Sequence, residues 1–596
     1  MSSTRRFANY PKAREGPATP YVSGVEKNPV LRGWPLIVGS NLIIRSTTIA
    51  NLFWSNAHFG KIKDIPGLDK LQYRYEPTVI PIAEENASTQ VELGPELYIR
   101  MPDDLPGRYY TVADYHEAYK TGQVTPLQVA KALLPIIRRD LTPPGKYSSA
   151  WVSSDVHRIL TDAKASTERY ASGKFLSIVD GVPFGVKDDT DVEGYVSHWG
   201  MAYDPKLAFF RPAKKTSESV SHILKAGGIM IGKQTQHELG SDTTGCNPRW
   251  GSPINWYNKS YYTGGSSSGA GSALGAGLVP ISIGTDAGGS CRLPPSFNGV
   301  YAIKTSHGRT ETMTTSVCVT SPMATNVTDL IVAYRLISQP NFDDPSQSLF
   351  SRSIPTSPPV RKFIGIYPEW FQDATPEVVD LCEKAINYLT SKCGYEVVHI
   401  SIPYIREGQV AHGASCLGEA AETARMRTPN PADRFSIVNH VNKVLLAVGA
   451  QTSMLDYCKF SQLRELHMEH LAFLFQEYPG LFIMTPAAPD AGYKISPSDE
   501  EYGFSDTNMT LRSMRYAWLA NWTGCPAAVA PVGYVNPEVG EGKLSVSLMA
   551  MGEWGAEEQL LSWAREVETY LNEVYPGGRI KPQDWANVLD MAKKID

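Results

Sequence analysis

The sequence predicts an α/β protein: helices packed as a sandwich around a large sheet. Short β-type runs alternate with helical patterns through most of the chain from Tyr110 onward, the texture of helix-covered sheets. One stretch reads strand, helix, strand in order: Ile364-Gly365-Ile366, then Pro376 to Lys392, then Glu396-Val397-Val398-His399-Ile400, which is βαβ-like. With 596 residues, 42% of them hydrophobic, the chain is long enough to bury a large core.

Residues 1–105 read as an appended segment, helical and irregular and packed on the body, and residues 106–596 as the main domain. The apolar stretch from Pro35 to Trp54 is interrupted by Asn41, Arg45, Ser46, Thr47, Thr48 and Asn51. A bilayer span takes about 20 mostly apolar residues, so no transmembrane segment is expected. The stretch reads as a helix buried first against the body, second in a homodimer, third on a membrane surface.

Thr125-Pro126 opens an apolar-periodic run (Val129, Ala130, Leu133, Leu134, Ile137), as an N-cap followed by proline at the first turn does, with a kink expected at Pro135. Ile178-Val179 and Val182 to Val186 read as a hairpin about Asp180-Gly181, which puts Lys187 at the end of a buried strand. Val220, Ile223 and Leu224 followed by Gly227-Gly228 read as a helix with a glycine stop, and Ile229 to Gly232 as the next strand. Ala273 to Val279 reads as a closely packed small-residue helix and Ile281-Ser282-Ile283 as a strand. The Pro- and Ser-rich stretch from Gln339 to Val360 reads as a surface crossing.

Composition excludes several classes. A net charge of −5 on a chain of this size offers no electrostatic case for nucleic acid. Eight cysteines without any C-x-x-C pair argue against a zinc site and a disulfide framework and fit a reducing compartment. The start of the sequence lacks the apolar run of a secretory signal, so a cytoplasmic location is expected, without metal or cofactor.

Three motifs carry chemistry: Gly181-Val182-Pro183-Phe184-Gly185-Val186-Lys187-Asp188, Gly264-Gly265-Ser266-Ser267-Ser268-Gly269, and Gly284-Thr285-Asp286-Ala287-Gly288-Gly289-Ser290. They supply two hydroxyls, an amine and glycines that let backbone N–H groups approach one point, which is what acyl transfer needs without a histidine base. A flexible Gly/Ser loop is the plain alternative for the second motif, but nothing near it is low-complexity and it runs into a buried-looking helix. No Gly-Lys-Ser/Thr follows at P-loop spacing, which removes a phosphate cradle. A lone lysine is usually solvated; one at the end of an apolar strand loses hydration, which favours the neutral amine a base requires.

These motifs, with Lys304-Thr305-Ser306-His307-Gly308-Arg309, Thr485-Pro486-Ala487-Ala488-Pro489 and Gly524-Cys525-Pro526, make residues 110 to 575 resemble the amidase signature family. The resemblance implies a mixed twisted sheet flanked by helices on both faces. It also implies Ser290 as nucleophile, Ser266 as bridging proton shuttle behind a cis Gly265–Ser266 peptide, and Lys187 as base. The separation of Ser266 and Ser290 matches the family's. The N–H groups of Ala287, Gly288, Gly289 and Ser290 would form the oxyanion hole, with the backbone near Gly240 facing substrate. Cys291, Thr305 and Ala270 depart from the usual residues, but none removes a reacting group. Cys291 lacks a nearby histidine and is not read as the nucleophile. His237 and His307 read as structural or substrate-edge groups, and Asp286 with Arg292 as a supporting ion pair.

The function so implied is hydrolysis of small-molecule amides through an acyl-enzyme, with esters or carbamates as side chemistry. A glutamine-dependent amidotransferase A-type subunit and an inactive scaffold are the alternatives. Thirty tyrosines and twelve tryptophans permit an aromatic or long acyl pocket.

Overall fold

The short apolar runs assemble into one mixed sheet of 11 strands. The computed structural model describes residues 7–24, 27–82, 93–313, 315–351 and 361–595. The strands are β1 (Trp151–Ser153), β2 (Pro183–Lys187), β3 (Ile229–Gln234), β4 (Ile281–Asp286), β5 (Tyr301–Lys304), β6 (Val319–Ala324), β7 (Lys362–Ile366), β8 (Tyr395–His399), β9 (Leu481–Pro486), β10 (Ala527–Val535) and β11 (Leu544–Met551). Across the sheet they run β8-β7-β9-β11-β10-β5-β6-β4-β2-β3-β1. Two parallel blocks, β8-β7-β9 and β4-β2-β3, are joined through antiparallel neighbours. Every residue of β2, β3, β4 and β6 is buried, polar ones such as Ser282, Thr285 and Ser321 included, because helices cover both faces.

The helices that matter for the site are α1 (Gly33–Ile43), α2 (Thr47–Asn56), α3 (Pro126–Ile137), α4 (Glu218–Lys225), α5 (Ser268–Gly275), α6 (Leu293–Phe297), α7 (Pro376–Cys393), α8 (Ile405–Ala424), α9 (His440–Gly449), α10 (Met454–Glu477) and α11 (Thr507–Ser513). Thr125 and Gln128 close a capping box on α3, and the helix ends two residues after Pro135. Gly227, at φ +98°, stops the chain behind α4. β7, α7 and β8 form the expected parallel βαβ unit.

Three expectations are corrected. Ile178 to Val182 is a turn, closed by Val182 N–H to Val179 O at 3.0 Å, and not half of a hairpin. β2 pairs in parallel with β3 and β4, which leave its backbone no free edge for a hairpin partner. The small-residue helix begins at Ser268 and ends at Gly275, not at Ala273 to Val279, because Gly277 at φ +73° breaks it. The apolar stretch from Pro35 to Trp54 is two helices, α1 and α2, bent by 114°. The described part of the stretch from Gln339 to Val360 runs over the surface as expected, with Gln347 and Phe350 buried and Phe350 against the Arg309 guanidinium, while residues 352–360 lie outside the described residues.

The N-terminal segment lies along the body through specific bonds. Leu36, Ile43 and Ala50 are buried, and α1 packs on α9, where Ser40 Oγ meets His440 Nδ1 at 2.8 Å. Trp54 Nε1 donates to Thr452 Oγ1 at 3.1 Å, Arg74 Nε to Glu465 Oε2 at 2.6 Å, and Thr78 Oγ1 lies 2.8 Å from His307 Nδ1. Trp34, Val38, Leu42 and Leu52 stay exposed. Among the described residues no single helix is long and apolar enough to cross a membrane.

Candidate active site

The parallel block β4-β2-β3 brings three chain segments to one edge of the sheet. Lys187 is the last residue of β2, Asp286 the last of β4, and the chain leaving β3 reaches Gly240. Parallel strands present their carboxyl ends together, which is where open α/β sheets place ligands. Ser266 and Ser267 arrive just before α5, whose eight residues are all buried. The Gly265–Ser266 peptide is cis, as the resemblance implies.

Lys187 is fully buried, and its Nζ lies 2.8 Å from Ser266 Oγ and 2.6 Å from Thr285 Oγ1. The sequence reading considered burial alone; the structure adds a carboxylate, Asp189 Oδ2, at 3.0 Å from Nζ. Ser266 is held from behind by His237 N–H on its carbonyl at 3.0 Å. Gly240 sits against it at φ +68°, where an added Cβ would stand 3.3 Å from Ser266 Oγ. Ser290 is tethered by Ser267 N–H on its carbonyl at 3.2 Å, while its Oγ takes no hydrogen bond among the described residues and faces a cavity.

The loop from Ala287 to Ser290 divides its N–H groups. Gly289, expected to face the oxyanion, donates instead to Asp286 Oδ1 at 2.7 Å. Its φ of +117° and its approach to Ala517, 2.8 Å from where a Cβ would stand, explain why glycine occupies that position. The N–H groups of Ala287, Gly288 and Ser290 are not taken by any hydrogen bond among the described residues. Asp286 also binds Arg292 in a fork, at 3.0 and 3.1 Å, and its own carbonyl accepts from Asn521 Nδ2 at 2.8 Å. Burial pushes this carboxyl up, but Arg292 and the Gly289 N–H outweigh it and hold it well below the usual range. The pair braces the loop.

Cys291 is buried with its Sγ 3.6 Å from Ser267 Oγ, and burial pushes the thiol up, away from a nucleophilic thiolate. His307 is a structural tie to Thr78. His237 is buried beside the site, and neither ring nitrogen has a partner among the described residues.

A cavity of about 180 Å³ opens at Ser290, Ala287 and Gly288. Most of its wall is apolar, with Leu417 and Ala420 of α8, Val441, Leu445 and Leu446 of α9, and Ala57 and Phe59 of the N-terminal segment, interrupted by polar groups such as Asp242, Asn442, Asp506 and Thr510. Asp189 and His412 also belong to the site and were missed in the sequence. Asp189 had only its nearness to Lys187 as a signal, because it lies in a turn closed by Thr190 N–H to Lys187 O at 3.2 Å, where strand alternation does not apply. His412 of α8, with Nε2 2.8 Å from the Ala287 carbonyl oxygen, had none.

The amidase family profile matches residues 146–561. A fatty acid amide hydrolase of Arabidopsis thaliana is 32% identical over 480 residues, covering 77% of this chain and 76% of that protein. One from Medicago truncatula is 33% identical over 490 residues, covering 78% and 77%. In fold, a bacterial aryl acylamidase of the amidase signature family superposes with a TM-score of 0.66 at 19% identity, over 82% of this chain and 99% of that one. With the family profile spanning most of its length, this chain belongs to the amidase family and is an amidohydrolase.

Proposed function

We propose that this amidohydrolase cleaves amides of long-chain carboxylic acids by acyl transfer to Ser290. The cavity carries the reading: it starts at Ser290 and the free N–H groups and continues between apolar side chains of α8, α9 and the N-terminal segment. Such walls suit an alkyl chain, which gains roughly 0.8 kcal/mol per buried methylene. The plant relatives named fatty acid amide hydrolase support the same class. Among the described residues no lysine or arginine lines the cavity to hold the carboxylate of glutamine, which speaks against the amidotransferase role.

The Lys187–Ser266 hydrogen bond supports a direction for the protons. Ser290 Oγ forms a bond to the substrate carbonyl carbon as its proton passes to Ser266, whose own proton goes to neutral Lys187. The electron pair displaced onto the carbonyl oxygen is met by the N–H groups of Ala287, Gly288 and Ser290, each worth up to about 3–4 kcal/mol in the transition state. The pair then returns, the C–N bond breaks, and Ser266 protonates the departing amine while recovering a proton from Lys187. Water, deprotonated along the same path, releases the acid and restores Ser290.

The test joins a series of primary amides from two to eighteen acyl carbons with fluorophosphonate labelling and mass mapping. kcat/KM should climb with acyl length and the label should sit on Ser290, with Ser290→Ala neither labelled nor active. A label elsewhere, or a preference for acetamide, would refute the proposal.

A further inference from the structure

Four oxygens surround Lys187 Nζ; the Thr285 carbonyl is the farthest at 3.4 Å, and the hydrogens of the three nearer ones can be counted. Asp189 Oδ2, at 3.0 Å, belongs to a carboxylate that only accepts when ionised. Thr285 Oγ1, at 2.6 Å, has one hydrogen, and it is committed to Asp189 Oδ2 at 2.8 Å, so toward the lysine it too can only accept. Ser266 Oγ, at 2.8 Å, is the one of the three with a hydrogen to give. A neutral amine has two N–H bonds and one lone pair. The two nearest obligate acceptors, Thr285 Oγ1 and Asp189 Oδ2, take the two hydrogens, and the lone pair is left for Ser266.

We propose that Asp189 is a positioning residue of the acyl-transfer reaction: with Thr285 it occupies both N–H bonds of the neutral Lys187 amine and thereby aims the nitrogen lone pair at Ser266 Oγ. The inference rests on the roles given above to Lys187, Ser266 and Ser290. Asp189 is built to stay in place. It is 5% exposed, its N–H donates to Gln236 Oε1 at 3.0 Å, and its second carboxylate oxygen lies 3.4 Å from Thr190 Oγ1.

The other titratable groups facing the lysine leave Asp189 as its counter-charge. Burial pushes the thiols of Cys291 and Cys318 up and the imidazole of His237 down, so all three are neutral near pH 7. Asp286, at the end of β4, is engaged by Arg292.

The experiment compares Asp189→Asn, Asp189→Glu and Thr285→Val in the full chain, by pH profiles of kcat and kcat/KM on one amide and by the rate of fluorophosphonate labelling at Ser290. Asn brings N–H donors that compete for the lone pair and removes the charge. Asp189→Asn should lower kcat by about 10²-fold, the weight of general-base catalysis, with KM within about threefold. The acidic limb of kcat/KM should move at least about one pH unit lower, because the ammonium loses its partner. Asp189→Glu should restore part of both. Thr285→Val should lower kcat but move the limb less, since the carboxylate remains.

A wild-type limb together with kcat within about twofold in Asp189→Asn would overturn the inference. Should that variant not fold, an unchanged kcat in Thr285→Val overturns it instead. Absence of the label from Ser290 in the unmodified enzyme marks failure of the triad itself. A label on Ser290 with an unchanged Asp189→Asn removes only the present inference.

Discussion

His412 donates a hydrogen bond from Nε2 to the carbonyl oxygen of Ala287 at 2.8 Å. The acceptor can only accept, so Nε2 carries the proton and Nδ1 is bare. The Ala287–Gly288 peptide is trans, and its C=O and N–H point opposite ways, so holding the carbonyl fixes the direction of the Gly288 N–H. Burial lowers the imidazole to about 4, with the Ala287 bond opposing it, so the ring stays neutral above that pH. His412→Phe keeps a ring but loses the donor, and kcat should fall about 10- to 100-fold, less than the loss of a whole oxyanion donor. Parallel slowing of fluorophosphonate labelling checks that acylation is the affected step.

Lys187→Ala removes the proton acceptor of the proposed relay. Acylation should slow by about 10²–10⁴-fold, and the rise of activity with pH that marks deprotonation of the ammonium should vanish. A pH–rate profile of the variant measures both, and an unchanged profile places the base elsewhere.

Glu238 links the site loop to the cavity wall, accepting from Asn439 N–H at 2.7 Å and Asn442 Nδ2 at 3.0 Å at the start of α9. Burial raises its carboxyl from 4.5 to about 7 against the pull of those two bonds. The native state therefore keeps the proton where the unfolded chain has lost it. Its contribution is full below pH 4.5 and is lost as pH rises to about 7, an effect of up to about 3 kcal/mol. Glu238→Gln should flatten that slope and be the more stable form at pH 8, read by urea unfolding between pH 5 and 8.

Arg292→Leu would leave the Asp286 carboxylate buried without its partner. Breaking a buried pair from one side costs about 3–5 kcal/mol, so the denaturant midpoint should drop and labelling of Ser290 should be lost as the loop relaxes. An unchanged midpoint would show that the Gly289 and Cys291 N–H groups suffice to hold the carboxylate.

Ala57 brings the N-terminal segment into the cavity wall. Ala57→Phe should lower kcat/KM for sixteen-carbon amides by about tenfold or more and leave two-carbon amides nearly unchanged, since one methylene in an apolar pocket already counts for 10-fold or more. Deleting residues 1–60 should lower the melting temperature, because it uncovers the surface that Leu36, Ile43 and Ala50 bury. A series of acyl lengths with thermal unfolding separates the two effects.

What the sequence determined by itself is local. Thr125-Pro126 and Gly227 mark helix ends because caps act within one turn, and Val182 to Val186 and Ile229 to Ile231 read as strands because they are short runs buried on both faces. Lys187, Ser266 and Ser290 stand out because glycine-rich segments hold them and residue type sets their chemistry. What only the tertiary structure decided depends on partners far along the chain. The turn at Ile178 to Val182 replaces a hairpin because both edges of β2 are claimed by crossovers from β3 and β4. The Gly289 N–H goes to Asp286 because Arg292 holds that carboxylate beneath the loop. His412 reaches Ala287 across 125 positions, and the cavity is closed by α8, α9 and residues near 57. Propensity and capping are sums over neighbours in sequence, whereas competition for a donor and the shape of a void are sums over neighbours in space, and the folded chain alone specifies those.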